Sequence, residues 1–265
     1  MDPVEPLPPA TGAADPLTDP TWIPRGRKQG KIGPQARERL ERLLPHFLLP
    51  GATERSALLT AWGADPAQAR LILEIGFGNG QALATWAARH PQDRFIGVEV
   101  FLGGVAALLW RIQQEGLTNI RLATRSIHAV LWESIPADSL DQVFIHFPDP
   151  WPKRCHHKRR LVQPLFLDRL ATRLRPGGQL SLATDWPHYA QWMRDALAAQ
   201  TAFHRPDATT PFDPEPAGWV ETRFQRKARE AGRTVFHLLC TRTDGPGQGT
   251  PCSPSDNRKH LVSSQ

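Results

Sequence analysis

Arg70-LILEI-Gly76-Phe-Gly-Asn-Gly80 decides how the rest of the chain is read. A short β-type run stops at three glycines placed at alternate positions. Asn79 to Arg89 then carries Leu83, Trp86 and Ala87 on one helical face. Strand, glycine turn and helix together open a βαβ unit. Downstream the alternation continues, with strands expected at Arg94–Val100, Asn119–Thr124, Leu140–Phe147, Gln179–Asp185 and Val235–Arg242. Between them lie helical patterns at Leu102–Glu115, around His128–Glu133, at Pro164–Leu174 and at Tyr189–Ala199. Arg175-Pro-Gly-Gly178 should stop the third of these. Upstream, Gln35–Leu44 reads as a helix that Pro45 should end or kink. Strands alternating with helices at this spacing argue for an α/β fold with a mostly parallel sheet covered on both faces.

Outside this region the composition changes. Residues 1–33 read as a proline-rich, disordered leader, and residues 244–265 as a Gly/Pro/Ser-rich disordered tail. One domain, residues 34–243, lies between them. The leader ends in a basic arm, Arg25-Gly-Arg-Lys-Gln-Gly-Lys31, with no acid in it. The start of the chain has neither a basic n-region nor an apolar h-region, and no apolar run is long enough to span a membrane. A cytoplasmic protein is expected, as a monomer or a homodimer. Three dispersed cysteines, Cys155, Cys240 and Cys252, argue against a disulfide scaffold and offer no zinc signature. The net charge is +6, and Arg outnumbers Lys 26 to 6, an excess that fits phosphate binding and a GC-rich coding bias equally well.

In open α/β sheets ligands sit beyond the carboxyl ends of the strands. The first such end is a Gly-x-Gly-x-Gly turn, whose third glycine comes one residue too early for the dinucleotide fingerprint. Gly76, Gly78 and Gly80 allow close backbone approach, while Glu74 before them would repel a pyrophosphate and suits a cationic ligand. Glu99, at the end of the second strand, can accept hydrogen bonds from the 2′- and 3′-hydroxyls of a ribose; an exposed strand-end glutamate is the rival reading. A glycine turn, a ribose acid and no phosphate grip together favour S-adenosylmethionine.

The fourth strand runs into Phe147-Pro-Asp-Pro-Trp-Pro-Lys153, where Pro148 and Pro150 restrict the backbone on both sides of Asp149. Lys153-Arg-Cys-His-His-Lys-Arg-Arg160 follows, with five Lys/Arg and no acid in eight residues. Beside a strand mouth, and next to Trp151 as a stacking surface, this run reads better as a phosphate-docking loop than as a solvated face. His128, His146, His156 and His157 have no metal-ligand spacing, so no metal is expected. His146, inside a strand, reads as packed rather than catalytic.

LEIGFGNG, GVEV, FIHFPDPWPKRCHHKRRLVQ and LATDWPHYAQWM closely resemble the bacterial tRNA (guanine-N7)-methyltransferase family, from about Arg25 to Arg242. The Phe-Pro-Asp-Pro-Trp segment followed by Lys-Arg-Arg is the specific part; the glycine turn is not. The resemblance implies a Rossmann-like class I methyltransferase with a seven-stranded sheet. It would transfer a methyl group from S-adenosylmethionine to N7 of guanine 46 in the tRNA variable loop, leaving S-adenosylhomocysteine. It implies cofactor contacts at Glu74, Gly76, Gly78, Glu99, Ser126 and Asp149, with Asp149 also catalytic. Substrate contacts are implied at Lys153, Asp185, Thr222, Arg223, Phe224 and Gln225, and RNA contacts at Cys155, His156, His157, Lys158, Arg159 and Arg160. The family usually has Asp or Asn where Ser126 stands, and Glu where Gln225 stands.

Guanine N7 carries an exposed lone pair, so methyl transfer to it needs alignment more than proton removal. Two other readings stay open here. One is a methyltransferase acting on a protein or small molecule, which the basic loop and arm argue against. The other is an RNA-binding protein without catalysis, which the acids Glu74, Glu99 and Asp149 argue against.

Overall fold

The computed structural model describes residues 31–51, 54–204 and 211–243. The expected leader, except its last three residues, and the expected tail lie outside the described residues, as does the basic arm apart from Lys31.

The strand that begins the glycine motif, β1 (Leu71–Ile75), is buried along its whole length. Its side chains alternate between two apolar layers, as a pleated strand requires. Leu71, Leu73 and Ile75 face one layer and Ile72 the other. The remaining strands are β2 (Arg94–Val98), β3 (Ile120–Ala123), β4 (Leu140–His146), β5 (Leu174–Thr184), β6 (Phe203–His204) and β7 (Phe236–Arg242). They form one seven-stranded sheet in the order β3-β2-β1-β4-β5-β7-β6. β1 to β5 run parallel, while β7 is antiparallel to both β5 and β6.

Helices supply both covering layers. Over β1, β2 and β3 lie α1 (Pro34–Phe47), α3 (Gln81–Arg89) and α4 (Leu102–Glu115), through Leu40, Leu83 and Leu108. The opposite layer contains α2 (Arg55–Ala61), α5 (Ile127–Glu133), α6 (Pro164–Ala171) and α7 (Pro187–Ala198), through Leu59, Leu131, Phe166 and Tyr189. An eighth helix, α8 (Arg223–Glu230), precedes β7. The mostly parallel sheet with helices on both faces therefore agrees with the sequence.

Two local expectations are corrected. Of the two outcomes expected at Pro45, an end or a kink, the end is overturned: α1 continues to Phe47. Pro45 sits in the last turn, where its missing N–H costs a single helical hydrogen bond, and the chain just beyond is tied to β3 by the Leu49 N–H donating to the Leu122 carbonyl at 2.8 Å. Arg175-Pro-Gly-Gly178 is not a spacer before a strand. α6 has already ended at Ala171, and the four residues form an irregularity inside β5, where the register against β4 jumps from Leu140↔Leu174 to Gln142↔Gln179.

The strand order reverses between β1 and β4, so the crevice for a ligand opens past Ile75 and His146.

Candidate active site

The glycine turn shapes one wall of this crevice. Gly76, Gly78 and Gly80 have φ of 78°, 58° and 70°, which side-chain-bearing residues rarely adopt. The turn also lies hard against the start of α4: a Cβ on Gly104 would fall 2.0 Å from the Gly78 carbonyl oxygen. This is a backbone surface stripped of side chains, ready to lie against a ligand.

Two acids stand behind it. Glu99 is 7% exposed, which sets aside the rival reading of an exposed strand-end residue. Its Oε2 accepts the Gly78 N–H at 3.0 Å, and its Oε1 accepts the Val100 and Phe101 N–H groups, both at 2.9 Å. A carboxylate has about four acceptor positions. Glu99 thus shapes the turn and keeps room for about one further donor, fewer than the pair of ribose hydroxyls expected from the sequence.

Glu74 is 3% exposed, and its Oε2 has no hydrogen-bond partner. Burial, and then the neighbouring Glu99 carboxylate, push its pKa up to about 8. Asp141, at the other end of the strands, shows the contrast. It is equally buried but is held by Arg55 Nη2 at 3.0 Å, Arg175 Nε at 2.7 Å and the Leu71 N–H at 2.7 Å. Asp141 is a satisfied structural acid, whereas Glu74 is an acid with an unused oxygen at the ligand crevice. A ligand cation would complete it.

Ser126 lies at the N-cap of α5 but makes no side-chain cap bond, leaving a half-buried hydroxyl at the end of β3.

Across the crevice, β4 delivers Asp149 to the surface on a strained segment. The Phe147 N–H extends the sheet by donating to the Ala183 carbonyl at 2.7 Å. Phe147 and Trp151 have φ of 52° and 44°, each immediately before a proline, where helical and left-handed backbone is disfavoured. Two such residues bracketing one exposed carboxylate mark a segment shaped for something other than stability. Beneath it His146 is buried, near Ser181 Oγ at 3.3 Å, and burial lowers its pKa to about 3. It is neutral and packed.

α8 closes the mouth. The Thr222 side chain caps it by accepting the Gln225 N–H at 3.1 Å. Arg223 and Phe224 are exposed. A Cβ on Gly78 would lie 3.7 Å from the Phe224 ring, which also stacks on Phe147 with centroids 6.2 Å apart. It bridges the glycine turn and the Asp149 segment. Asp185 is engaged by Arg233, whose Nε donates to Oδ2 at 2.8 Å. Neither Arg233 nor the Phe224–Phe147 stack has a local sequence signal.

Gln225 is a correction. Its side chain is buried: Nε2 donates to Glu215 Oε2 at 2.5 Å, and Oε1 accepts from Trp219 Nε1. It holds α8 to the 215–219 segment and does not present an amide to a base.

The basic run folds as a 3-10 turn, Arg154–Arg159. Lys153, Arg154, Cys155, Lys158 and Arg159 are exposed, and Arg159 lies over the Trp151 ring at 5.1 Å. His156 and His157 are half-buried, each edge-on to an indole, Trp151 and Trp192 respectively. Arg160 is the second correction: at 2% exposure its guanidinium turns inward instead of facing the surface with its neighbours.

A cavity of about 360 Å³ lies on the sheet face between α3 and the 216–219 segment, lined in part by Trp86, Phe144 and Trp219. None of the expected site residues lines it, so it is not the crevice described here. Among the described residues no three His, Cys, Asp or Glu side chains cluster as metal ligands, and no helix is long and apolar enough to cross a membrane.

A family model described as a putative methyltransferase matches residues 68–238. The tRNA (guanine-N(7)-)-methyltransferase of Magnetococcus marinus is 49% identical over 80% of this chain and 85% of its own length. That of Halorhodospira halophila is 41% identical over 80% of this chain and 91% of its own. In fold, the chain resembles the 16S rRNA methyltransferase KamB, with a TM-score of 0.51 and 16% identity over 71% of this chain and 93% of that one.

Proposed function

Because the chain belongs to the tRNA (guanine-N(7)-)-methyltransferase family, we propose that it methylates N7 of guanine 46 in the tRNA variable loop, with S-adenosylmethionine as donor. The observation that carries the cofactor reading is the unpartnered, buried Glu74 oxygen behind a left-handed glycine turn. A pocket for a phosphate-bearing dinucleotide would not place an uncompensated acid there. When bound, S-adenosylmethionine supplies an electrophilic methyl group on its sulfonium.

The rest is the work of the chain. Glu74 would hold the ammonium of the methionine portion, Glu99 a ribose hydroxyl and Ser126 the adenine edge. The backbone of Gly76 and Gly78 would lie along the ligand, and Phe224 would exclude water from above. Asp149 would accept the N–H groups on the Watson–Crick edge of guanine, aiming N7 into the crevice. That carboxylate also favours the positive charge that the purine acquires as N7 is alkylated. Lys153, Asp185, Thr222 and Arg223, around the same mouth, would meet the nucleotide.

The test is direct. Unmodified tRNA incubated with the protein and S-adenosylmethionine should yield 7-methylguanosine on nucleoside analysis. Strand scission at the methylated base should map it to position 46. No 7-methylguanosine would overturn the activity; scission elsewhere would overturn only the position.

The exposed part of the basic turn makes a second expectation. Each phosphate neutralised by a cation contributes about −0.7 to −0.9 to the slope of log K against log salt. Replacing Lys158 and Arg159 with Ala should therefore flatten the slope by roughly 1.5 units and weaken tRNA binding. Affinity for S-adenosylmethionine should stay unchanged, since it has no phosphate to offer. Titrations at several salt concentrations decide it; an unchanged slope would mean that tRNA docks elsewhere.

A further inference from the structure

Arg160 ends the basic run but makes none of the contacts that its neighbours are free to make. Its Nε donates to the Pro150 carbonyl at 2.9 Å, and its Nη2 lies 3.2 Å from His188 Nδ1. Its guanidinium carbon is 4.9 Å from the Tyr189 ring and 5.0 Å from the Trp192 ring. Its own N–H closes the 3-10 turn on the His157 carbonyl at 3.0 Å. A buried cation is thus held by a carbonyl, an imidazole and two aromatic faces. Burying a charge on those terms is costly. One side chain there joins three pieces: the Asp149 segment, the basic turn and α7.

The piece it grips is the strained one. Phe147 and Trp151 hold backbone conformations that persist only when the surroundings over-determine them. Upstream of Asp149 the segment is fixed by the Phe147 N–H on Ala183; downstream it is fixed by Arg160 on Pro150. Asp149 lies between the two fastenings. A planar guanidinium fork can reach a carbonyl and an imidazole while lying against two rings; a lysine ammonium cannot.

We propose that Arg160 is a positioning residue for methyl transfer, which fixes Asp149 and couples it to the tRNA-docking turn. This rests on the functional reading above. The phosphate-facing cations of that turn and the catalytic carboxylate then move as one body, so tRNA seated on Lys158 and Arg159 presents its base to an Asp149 already in place.

The test uses the full chain with Arg160→Lys and Arg160→Ala. At saturating tRNA and cofactor, single-turnover methylation should fall roughly tenfold to a hundredfold in both, as a misplaced reacting group does. The Kd for tRNA and its salt slope should stay within a factor of two. Millimolar guanidinium should restore part of the Arg160→Ala rate, and methylammonium should not. In the free proteins the Asp149 and Trp151 amides should exchange with deuterium faster than in the unaltered chain, a readout independent of activity.

Turnover within a factor of two for Arg160→Lys would overturn the proposal. So would a flattened salt slope at unchanged turnover, which would make Arg160 an RNA contact. Loss of folding in both variants would make it a core anchor and also overturn it. Failure of the unaltered chain to methylate tRNA would instead overturn the functional reading, and the coupling to catalysis would fall with it.

Discussion

Asp149→Asn is expected to lower turnover at saturating tRNA and cofactor by more than tenfold, with tRNA affinity preserved within a factor of two. The substitution keeps the shape of the side chain and leaves the flanking prolines and the left-handed Phe147 and Trp151 in place. It removes the charge and one of two acceptor oxygens, and puts an N–H₂ donor against the N–H donors of a guanine edge. A hydrogen bond to a charged group contributes about 1.5–3 kcal/mol, and about 1.4 kcal/mol is already tenfold in rate. The loss should fall on kcat because the purine becomes positive as N7 is alkylated, so the carboxylate interacts more strongly with the transition state than with the bound base. Affinity should be spared if, as proposed, the tRNA is held chiefly by phosphate contacts on the basic turn. Rapid-quench turnover beside equilibrium binding separates the two. Equal losses in both would reduce Asp149 to an ordinary binding contact, and activity within a factor of two would make it a structural strand-end residue.

The parts of this site that were legible in the sequence share a cause: they sit where a strong local period ends. β1 is an apolar run cut off by glycines, so Glu74 and the turn could be placed from spacing alone, as could Glu99 after β2. The parts that were not legible depend on partners far away in the chain. β6 has two residues and exists by pairing with β7, as in Phe203↔Arg242. Short α2 is tied down through Arg55, whose bonds reach Ser139 and Asp141 more than eighty residues on. Within the basic run, Lys158, Arg159 and Arg160 look alike as letters. The 3-10 turn leaves Lys158 and Arg159 at the surface, whereas Arg160, at its C-cap, is folded inward. Gln225 went astray for a similar reason. α8 turns residues 225 and 228 inward and Phe224 outward, so the last residue of the family motif faces the protein.

Glu74→Gln is expected to stabilise the free protein while crippling its cofactor binding. In the unfolded chain this carboxyl ionises near its ordinary value of 4.5; in the fold it holds its proton up to about pH 8. Between those limits the folded state binds one more proton than the unfolded state, so stability falls as pH rises, by about 1.4 kcal/mol per pH unit. Below pH 4.5 the penalty is absent, and above about 8 it is complete. Near pH 7 it is on the order of 3 kcal/mol, which a neutral glutamine of the same shape does not incur. For a domain of this size that corresponds to a melting temperature higher by about 6–12 °C. The gap between variant and wild type should widen from pH 5 to pH 8 and then stay constant. The same linkage sets the cofactor's behaviour. An ammonium group at Glu74 favours the ionised form, so wild-type binding should release a proton below pH 8 and tighten as pH rises toward it. Calorimetry in two buffers of different ionisation heat would count that proton. In Glu74→Gln the proton release should vanish and affinity should fall by more than tenfold, since a charged hydrogen bond contributes about 1.5–3 kcal/mol. Thermal melts across the same pH range complete the test. A variant less stable than wild type at pH 8, with the same slope against pH, would show that Glu74 is already satisfied in the free protein, and its assignment to the cofactor would go with it.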